Sequence, residues 1–146
     1  MPKREEILSA IVEAFGTVPR PDHFTNYTHC DECAEHDETL RSQTPATIGL
    51  EQLGNPGWDP VCFINSPAGL KYYMPALARL ALDPSDSSYL LQFIFHLNEE
   101  RIASFDESQK RAVLSLFEYL LEDPPFEIND GPGADDLLRV ASLLMR

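Results

Sequence analysis

Basic residues are scarce in this sequence of 146 residues, which has 11 lysine and arginine residues against 24 aspartate and glutamate residues, a net charge of −13. Proteins that bind nucleic acid neutralise its phosphates with clustered Lys and Arg, and no such cluster occurs here. We therefore expect no nucleic-acid partner. Because 43% of the residues are hydrophobic, the chain can still form a core, and its charge does not indicate disorder.

Long hydrophobic runs are absent as well. No stretch approaches the roughly 18 consecutive apolar residues of a membrane-spanning helix. The first residues, Met1 to Glu6, lead into an amphipathic segment rather than the apolar core of a signal peptide. These features predict a cytoplasmic protein with no membrane partner. The chain has three cysteines, too few in such a compartment to indicate a structural disulfide.

Helical periodicity is the strongest pattern that is present. A first helix ends at Gly16, and its apolar face consists of Ile7, Leu8, Ile11, Val12 and Phe15. A capping box that begins at Ser104 predicts the start of a fifth helix, which the prolines after Asp123 end. A last helix is expected from about Ala134 to Met145.

Three further helix starts are predicted where a capping residue precedes a proline, because proline fits the first turn of a helix. They are Thr44-Pro45, Ser66-Pro67 and Asp83-Pro84. The first predicts a short helix from about Pro45 to Leu53. Pro75 lies inside the second helix, so we expect a kink or a start displaced towards Tyr73. The helix after Asp83 is apolar nearly all round, and we expect it to be the most buried.

The segment from Trp58 to Ile64 is too short and too rich in proline for a helix. Its β-branched and aromatic residues favour an extended conformation. The sequence therefore predicts an all-α or nearly all-α fold over residues 1–146, a single compact helical domain of about five to seven helices with at most one short strand or hairpin. Residues 16–44 are expected to form an acidic linker or helix that contains Cys and His.

His96 shares a helical stripe with Tyr89 and Gln92. This spacing indicates the polar seam of a buried helix rather than a catalytic pair. Asp59, which precedes a proline, is expected to cap a turn.

Negative charge is concentrated between residues 21 and 55, where Arg41 is the only base and the net charge is −6. The acids are Asp22, Asp31, Glu32, Glu35, Asp37, Glu38 and Glu51. An acidic surface attracts basic proteins and repels acidic ones. The leading hypothesis is therefore a non-enzymatic interaction module with a basic protein as its partner.

The same acidic segment contains most of the metal-binding side chains of the chain. They are His23, His29, Cys30, Cys33 and His36. A Cys-x-x-Cys pair supplies two thiolates to one tetrahedral metal ion, and a nearby histidine supplies a third ligand. On one continuous helix, His29, Cys33 and His36 share a face, with Cys30 and Asp37 at its edge.

These residues predict a structural zinc site. Its expected ligands are Cys30, Cys33, His36 and His29, with His23 or Cys62 as alternatives for the fourth position. A second ligand pair from a separate segment, typical of structural zinc sites, is missing. In the alternative interpretation, Cys30 and Cys33 form a buried apolar pair, and the histidines are surface or hydrogen-bonded residues.

A redox role is a further alternative for the Cys-x-x-Cys pair. Thioredoxin-like motifs occur where strands and helices alternate, which is not the case here. In addition, Asp31 and Glu32 are expected to raise the pKa of both thiols. The alternative function from a different class is a metal- or thiol-dependent enzyme that uses Cys30, Cys33 and His36.

The segment from Phe63 to Leu77 contains an apolar run, a glycine, a Tyr-Tyr pair and Pro-Ala. It resembles a family of small bacterial proteins that share a domain of unknown function. The resemblance covers about Trp58 to Leu121. It implies a bacterial origin and assigns neither an activity nor a catalytic residue.

Overall fold

The computed structural model describes residues 3–122 and 133–146. Within these two ranges the chain is helical and has no strand, which confirms the predicted all-α class. The helices are α1 (Arg4–Phe15), α2 (Asp31–Arg41), α3 (Leu50–Leu53), α4 (Pro67–Ala81), α5 (Leu90–His96), α6 (Glu99–Ala103), α7 (Glu107–Glu122) and α8 (Gly133–Leu144). Two 3-10 turns, Pro56–Trp58 and Pro60–Phe63, connect α3 to α4. The predicted helix end after Asp123 lies outside the described residues.

One hydrophobic core holds these helices together. The apolar face of α1 packs against α4 and α7, while α8 packs against α7 and α5. Among the described helices, α4 contributes a large share of the core, including the fully buried side chains of Leu70, Tyr73 and Leu77. No described helix is long and apolar enough to cross a membrane.

Two predicted helix starts are wrong because the capping residues form isolated turns. Thr44 accepts a backbone hydrogen bond from Thr47, and α3 begins only at Leu50. Asp83 likewise accepts from the backbone N–H of Ser85 at 2.9 Å, and α5 begins at Leu90. The expectation that this helix is the most buried is also wrong, because Phe95 is 62% exposed and α4 buries nine of its 15 residues against four of seven in α5.

The predicted start of α4 is confirmed. The Ser66 hydroxyl accepts from the backbone N–H of Gly69 at 3.2 Å, and Pro67 occupies the first turn. The alternative start near Tyr73 is wrong, because the helix runs from Pro67 to Ala81 with Pro75 inside it.

The capping box before α7 lies two residues later than predicted. Gln109 donates its backbone N–H to the Asp106 carboxylate at 2.8 Å, and its side-chain oxygen accepts from the backbone N–H of Asp106. Ser104 instead follows the short helix α6, which the sequence analysis missed, and donates to the carbonyl of Arg101.

The expectation of an extended segment from Trp58 to Ile64 is wrong. Asn55 accepts from the backbone N–H of Gly57 at 2.9 Å, and Asp59 accepts from that of Val61 at 3.0 Å. Each contact closes a tight turn that includes the proline directly after the accepting residue. These local hydrogen bonds outweigh the β propensity of the side chains.

The polar seam on α5 is confirmed, and Asp59 does more than cap a turn. One oxygen of its buried carboxylate accepts from Tyr89 at 2.9 Å and Gln92 at 3.0 Å, and lies 2.7 Å from Nε2 of His96. Because Asp59 lies between the two 3-10 turns, this network fastens both of them to α5.

Candidate metal site at the start of α2

The helix α2 presents one stripe of side chains to the rest of the protein. The buried residues of the helix are Cys33, His36, Asp37 and Leu40. Their spacing is that of one helix face, so Cys33 occupies the end of the packing stripe nearest the N-terminus. Cys30 precedes the helix as its N-cap, with its Sγ atom 3.4 Å from the backbone N–H of Cys33, which donates to it.

Asp37 ties the preceding loop to α2. One oxygen accepts from the backbone N–H groups of Phe24 at 2.6 Å and Thr25 at 3.1 Å, and the other lies 2.7 Å from Nδ1 of His23. The Thr25 hydroxyl donates to the carbonyl of Cys33 at 2.7 Å. These contacts hold the start of the loop that carries His29 against the first turns of the helix.

The structure brings His29, Cys30 and Cys33 together. Their ligand atoms all lie within 4.8 Å of one another, which is close enough to bind a metal ion. The two sulfur atoms are 3.3 Å apart, and Nδ1 of His29 is 3.7 Å from Sγ of Cys33. Thiolates of a tetrahedral zinc site lie about 3.8 Å apart, as Zn–S bonds of about 2.3 Å require. Small side-chain movements therefore suffice for three-ligand coordination.

Two of the three residues are open to solvent. His29 and Cys30 are exposed, whereas Cys33 is 9% exposed. A metal ion held by these three ligands would therefore keep a fourth coordination position towards solvent, as an open zinc site does.

The two thiols differ in their electrostatic environment. The backbone N–H of Cys33, its thiol and His29 lower the pKa of Cys30 through hydrogen bonds. The hydrogen bond with Cys30, burial and the negative charges of Cys30 and Glu32 raise the pKa of Cys33. The predicted rise of both pKa values is confirmed for Cys33 and wrong for Cys30.

His36, a predicted ligand, is not part of this group. Its ring is fully buried and stacks on Phe63, with the ring centroids 4.3 Å apart, and packs against Trp58 at 4.5 Å. Neither ring nitrogen has a hydrogen-bond partner, and Nε2 lies 3.7 Å from a carboxylate oxygen of Glu32. The predicted common face placed residue 29 on the same helix, but α2 begins at Asp31, and within α2 the ring of His36 packs against Trp58 and Phe63 rather than beside Cys30.

The two alternatives for the fourth ligand also lie elsewhere. His23 binds Asp37 and stacks on Tyr27, with the ring centroids 3.8 Å apart. Cys62 lies in the second 3-10 turn and is exposed as a residue, but partial burial of its thiol and the charge of Asp59 raise its pKa. Neither residue belongs to the group that His29 forms with the two cysteines.

The exposed side of α2 is strongly acidic. Asp31, Glu32, Glu35 and Glu38 are exposed on it. Asp37 does not contribute to this surface, because it is buried against His23 and the loop. The acidic surface of α2, meaning these four exposed carboxylates, begins directly beside the candidate metal site.

Comparisons with known proteins found no relative. No family model, no curated protein and no solved structure matches the chain. The resemblance around Phe63 to Leu77 stays a prediction.

Proposed function

We propose that this protein is an acidic interaction module that holds one zinc ion at the start of α2. The observation that carries the proposal is the convergence of His29, Cys30 and Cys33 within 4.8 Å. Two thiolates and an imidazole form a borderline-soft donor set that suits zinc better than calcium or magnesium, which prefer oxygen ligands.

The proposed zinc ion has a local rather than a fold-defining role. All three ligands come from one short segment, so the ion closes no long loop of the chain. The core is formed by other residues, with α1 packed against α4 and α7. We therefore expect the protein to fold without zinc, and the ion to order the first turn of α2 and the residues just before it.

The charge around the site supports an interaction role. Two thiolates balance the charge of Zn²⁺, so the four exposed carboxylates of α2, with Arg41 at the end of the helix, still leave a net negative charge beside a filled site. Such a surface speeds the approach of a basic protein.

Native mass spectrometry of untagged protein tests the proposed zinc site. We expect one bound zinc ion after zinc addition to chelator-treated, reduced protein, and no bound ion in Cys30→Ser or Cys33→Ser. His29→Ala should bind zinc more weakly. Cys62→Ser is the matched control, since it removes the one thiol outside the group, and it should bind like the wild type. Zinc binding that survives Cys30→Ser together with Cys33→Ser would overturn the proposal.

A further inference from the structure

We propose that Cys30 and Cys33 also form a thiol–disulfide exchange site that reduces disulfides flanked by positive charge. The activity belongs to the reduced, metal-free protein and uses the two residues that would otherwise hold zinc. It does not depend on the proposed zinc binding, because it requires only the two sulfur atoms.

The two sulfur atoms are close enough to form a disulfide bond after a small movement. They lie 3.3 Å apart across the first turn of α2, and a disulfide bond measures about 2.05 Å. Closure therefore requires a movement of only about 1.3 Å, which rotation of the exposed Cys30 side chain can supply. The pair can form an internal disulfide without displacing the core.

The two thiols differ in access, which assigns a role to each. Cys30 is exposed and precedes the helix, so an external disulfide can reach it. Cys33 is 9% exposed and lies on the packing face of α2. Access limits the rate of thiol attack, so Cys30 is the attacking residue and Cys33 the resolving one.

The backbone at the start of α2 supports this assignment. The N–H of Cys33 donates to Sγ of Cys30, and the N-terminal end of a helix favours negative charge.

The proposed reaction consists of two successive thiol–disulfide exchange steps. The Cys30 thiolate attacks one sulfur of a disulfide R–S–S–R, forms a mixed disulfide with it and releases the first RS⁻. The Cys33 thiolate then attacks Sγ of Cys30, closes the internal disulfide and releases the second RS⁻. Two electrons pass from the cysteine pair to the substrate. The two thiol protons of the protein end on the two RSH products.

Charge next to the attacking sulfur defines the substrate class. Asp31 and Glu32 follow Cys30 directly and are exposed, with Glu35 one turn further along the helix. Their field attracts a cationic disulfide and repels an anionic one, and salt screens both effects. The negative charge of these residues thus selects the substrate.

Three small disulfides test the proposal on reduced protein in excess chelator. Cystamine is cationic, hydroxyethyl disulfide is neutral and oxidised glutathione is anionic. In the Cys62→Ser background, cystamine should react about tenfold faster than oxidised glutathione at low salt. As salt is raised, this ratio of rates should approach the ratio measured with a small reference thiol that is not part of a protein.

Single variants in the same background test the roles of the two thiols. Cys33→Ser should stall as a mixed disulfide at Cys30, and Cys30→Ser should form a mixed disulfide at least about tenfold more slowly. The proposal is overturned if both variants react equally fast, or if the protein with both thiols keeps the mixed disulfide without closing.

The two proposals fail separately. Exchange is measured without metal, so a protein that binds no zinc can still show it. A protein that binds zinc but never closes the internal disulfide contradicts the exchange site alone. If both proposals hold, added zinc should slow the reaction with cystamine, and chelator should restore it.

Discussion

Asp37 and His23 form a contact of 2.7 Å between Oδ2 and Nδ1 that joins α2 to the loop before it. The carboxylate is buried and also accepts two backbone N–H groups of the loop. Asp37 lies one helical turn beyond Cys33, so a residue outside the candidate metal site fixes the position of the segment that carries His29.

This contact predicts that Asp37→Asn weakens zinc binding although it removes no ligand. The amide keeps the size of the side chain but loses the charge and one acceptor, so the loop becomes less ordered. Loss of such supporting contacts typically costs about tenfold or more in metal affinity. Competition with a chromophoric chelator measures the effect, and Glu38→Gln, an exposed change on the same helix, is the control. Unchanged affinity in Asp37→Asn would show that the loop needs no support.

Asp59 predicts a loss of stability in acid. Burial alone would raise its pKa, but the hydrogen bond and charge of His96, with hydrogen bonds from Val61 and Tyr89, hold the pKa below its usual value. A carboxyl whose pKa is lower in the folded state stabilises the protein above its unfolded value, about 4. That contribution is lost as the pH falls from about 4 through the folded pKa.

Urea unfolding at a series of pH values checks this prediction. The free energy of unfolding of the wild type should fall with the pH below about 4, and Asp59→Asn should show a shallower fall. At neutral pH, Asp59→Ala should cost about 3 kcal/mol, because it leaves the buried polar groups of Tyr89 and His96 without their acceptor. A cost near zero would contradict the proposed fastening of the 3-10 turns to α5.

Substitution of His36 should raise the free energy of unfolding, in contrast to substitution of Asp59. Its two ring nitrogens are buried without hydrogen-bond partners, while its ring stacks on Phe63. His36→Phe keeps the ring and removes the desolvated polar atoms, so the free energy of unfolding should rise by about 1 kcal/mol. Thermal and urea unfolding measure it. Zinc binding should be unchanged, and loss of the ion in this variant would place His36 among the ligands.

The acidic surface of α2 predicts a charge-dependent partner. Glu35 and Glu38 lie beyond the first turn of α2. Asp31 and Glu32 lie within that turn, where their negative charge interacts favourably with the helix dipole. Glu35→Gln with Glu38→Gln should therefore keep or slightly raise thermal stability at low salt. It should weaken capture of basic proteins from a lysate, as should added salt.

The matched control removes the same charge elsewhere on the surface. Glu118 and Glu122 are exposed on α7, and Glu118→Gln with Glu122→Gln should leave capture unchanged. Equal capture by both double variants, or capture that salt does not affect, would mean that the acidic surface of α2 binds no basic partner.

Sequence patterns predicted the helices that have both an apolar face and a cap. The face of α1 and the Ser66 cap of α4 are visible in neighbouring residues, and both helices begin or end where expected. The stripe of Tyr89, Gln92 and His96 also predicted a polar seam. Its common acceptor, Asp59, was not predicted, because a contact between residues about 30 positions apart leaves no local pattern.

The candidate site was predicted only where its residues are close in sequence. His29, Cys30 and Cys33 lie within one loop and one helical turn, so spacing alone indicated their convergence. The surroundings of His36 depend on which side of α2 packs against the core. That side is covered by Trp58 and Phe63, which come from the segment whose turns the sequence analysis missed.

Differential alkylation of the three cysteines tests the central claim most directly. Reduced protein is labelled with and without one equivalent of zinc, and peptide mapping follows each cysteine separately. Because zinc-bound thiolates resist alkylation, we expect zinc to slow labelling of Cys30 and Cys33 about tenfold or more, with chelator reversing the effect. Cys62 should label at the same rate throughout. Equal, zinc-independent labelling of Cys30 and Cys33 would contradict a metal site at the start of α2.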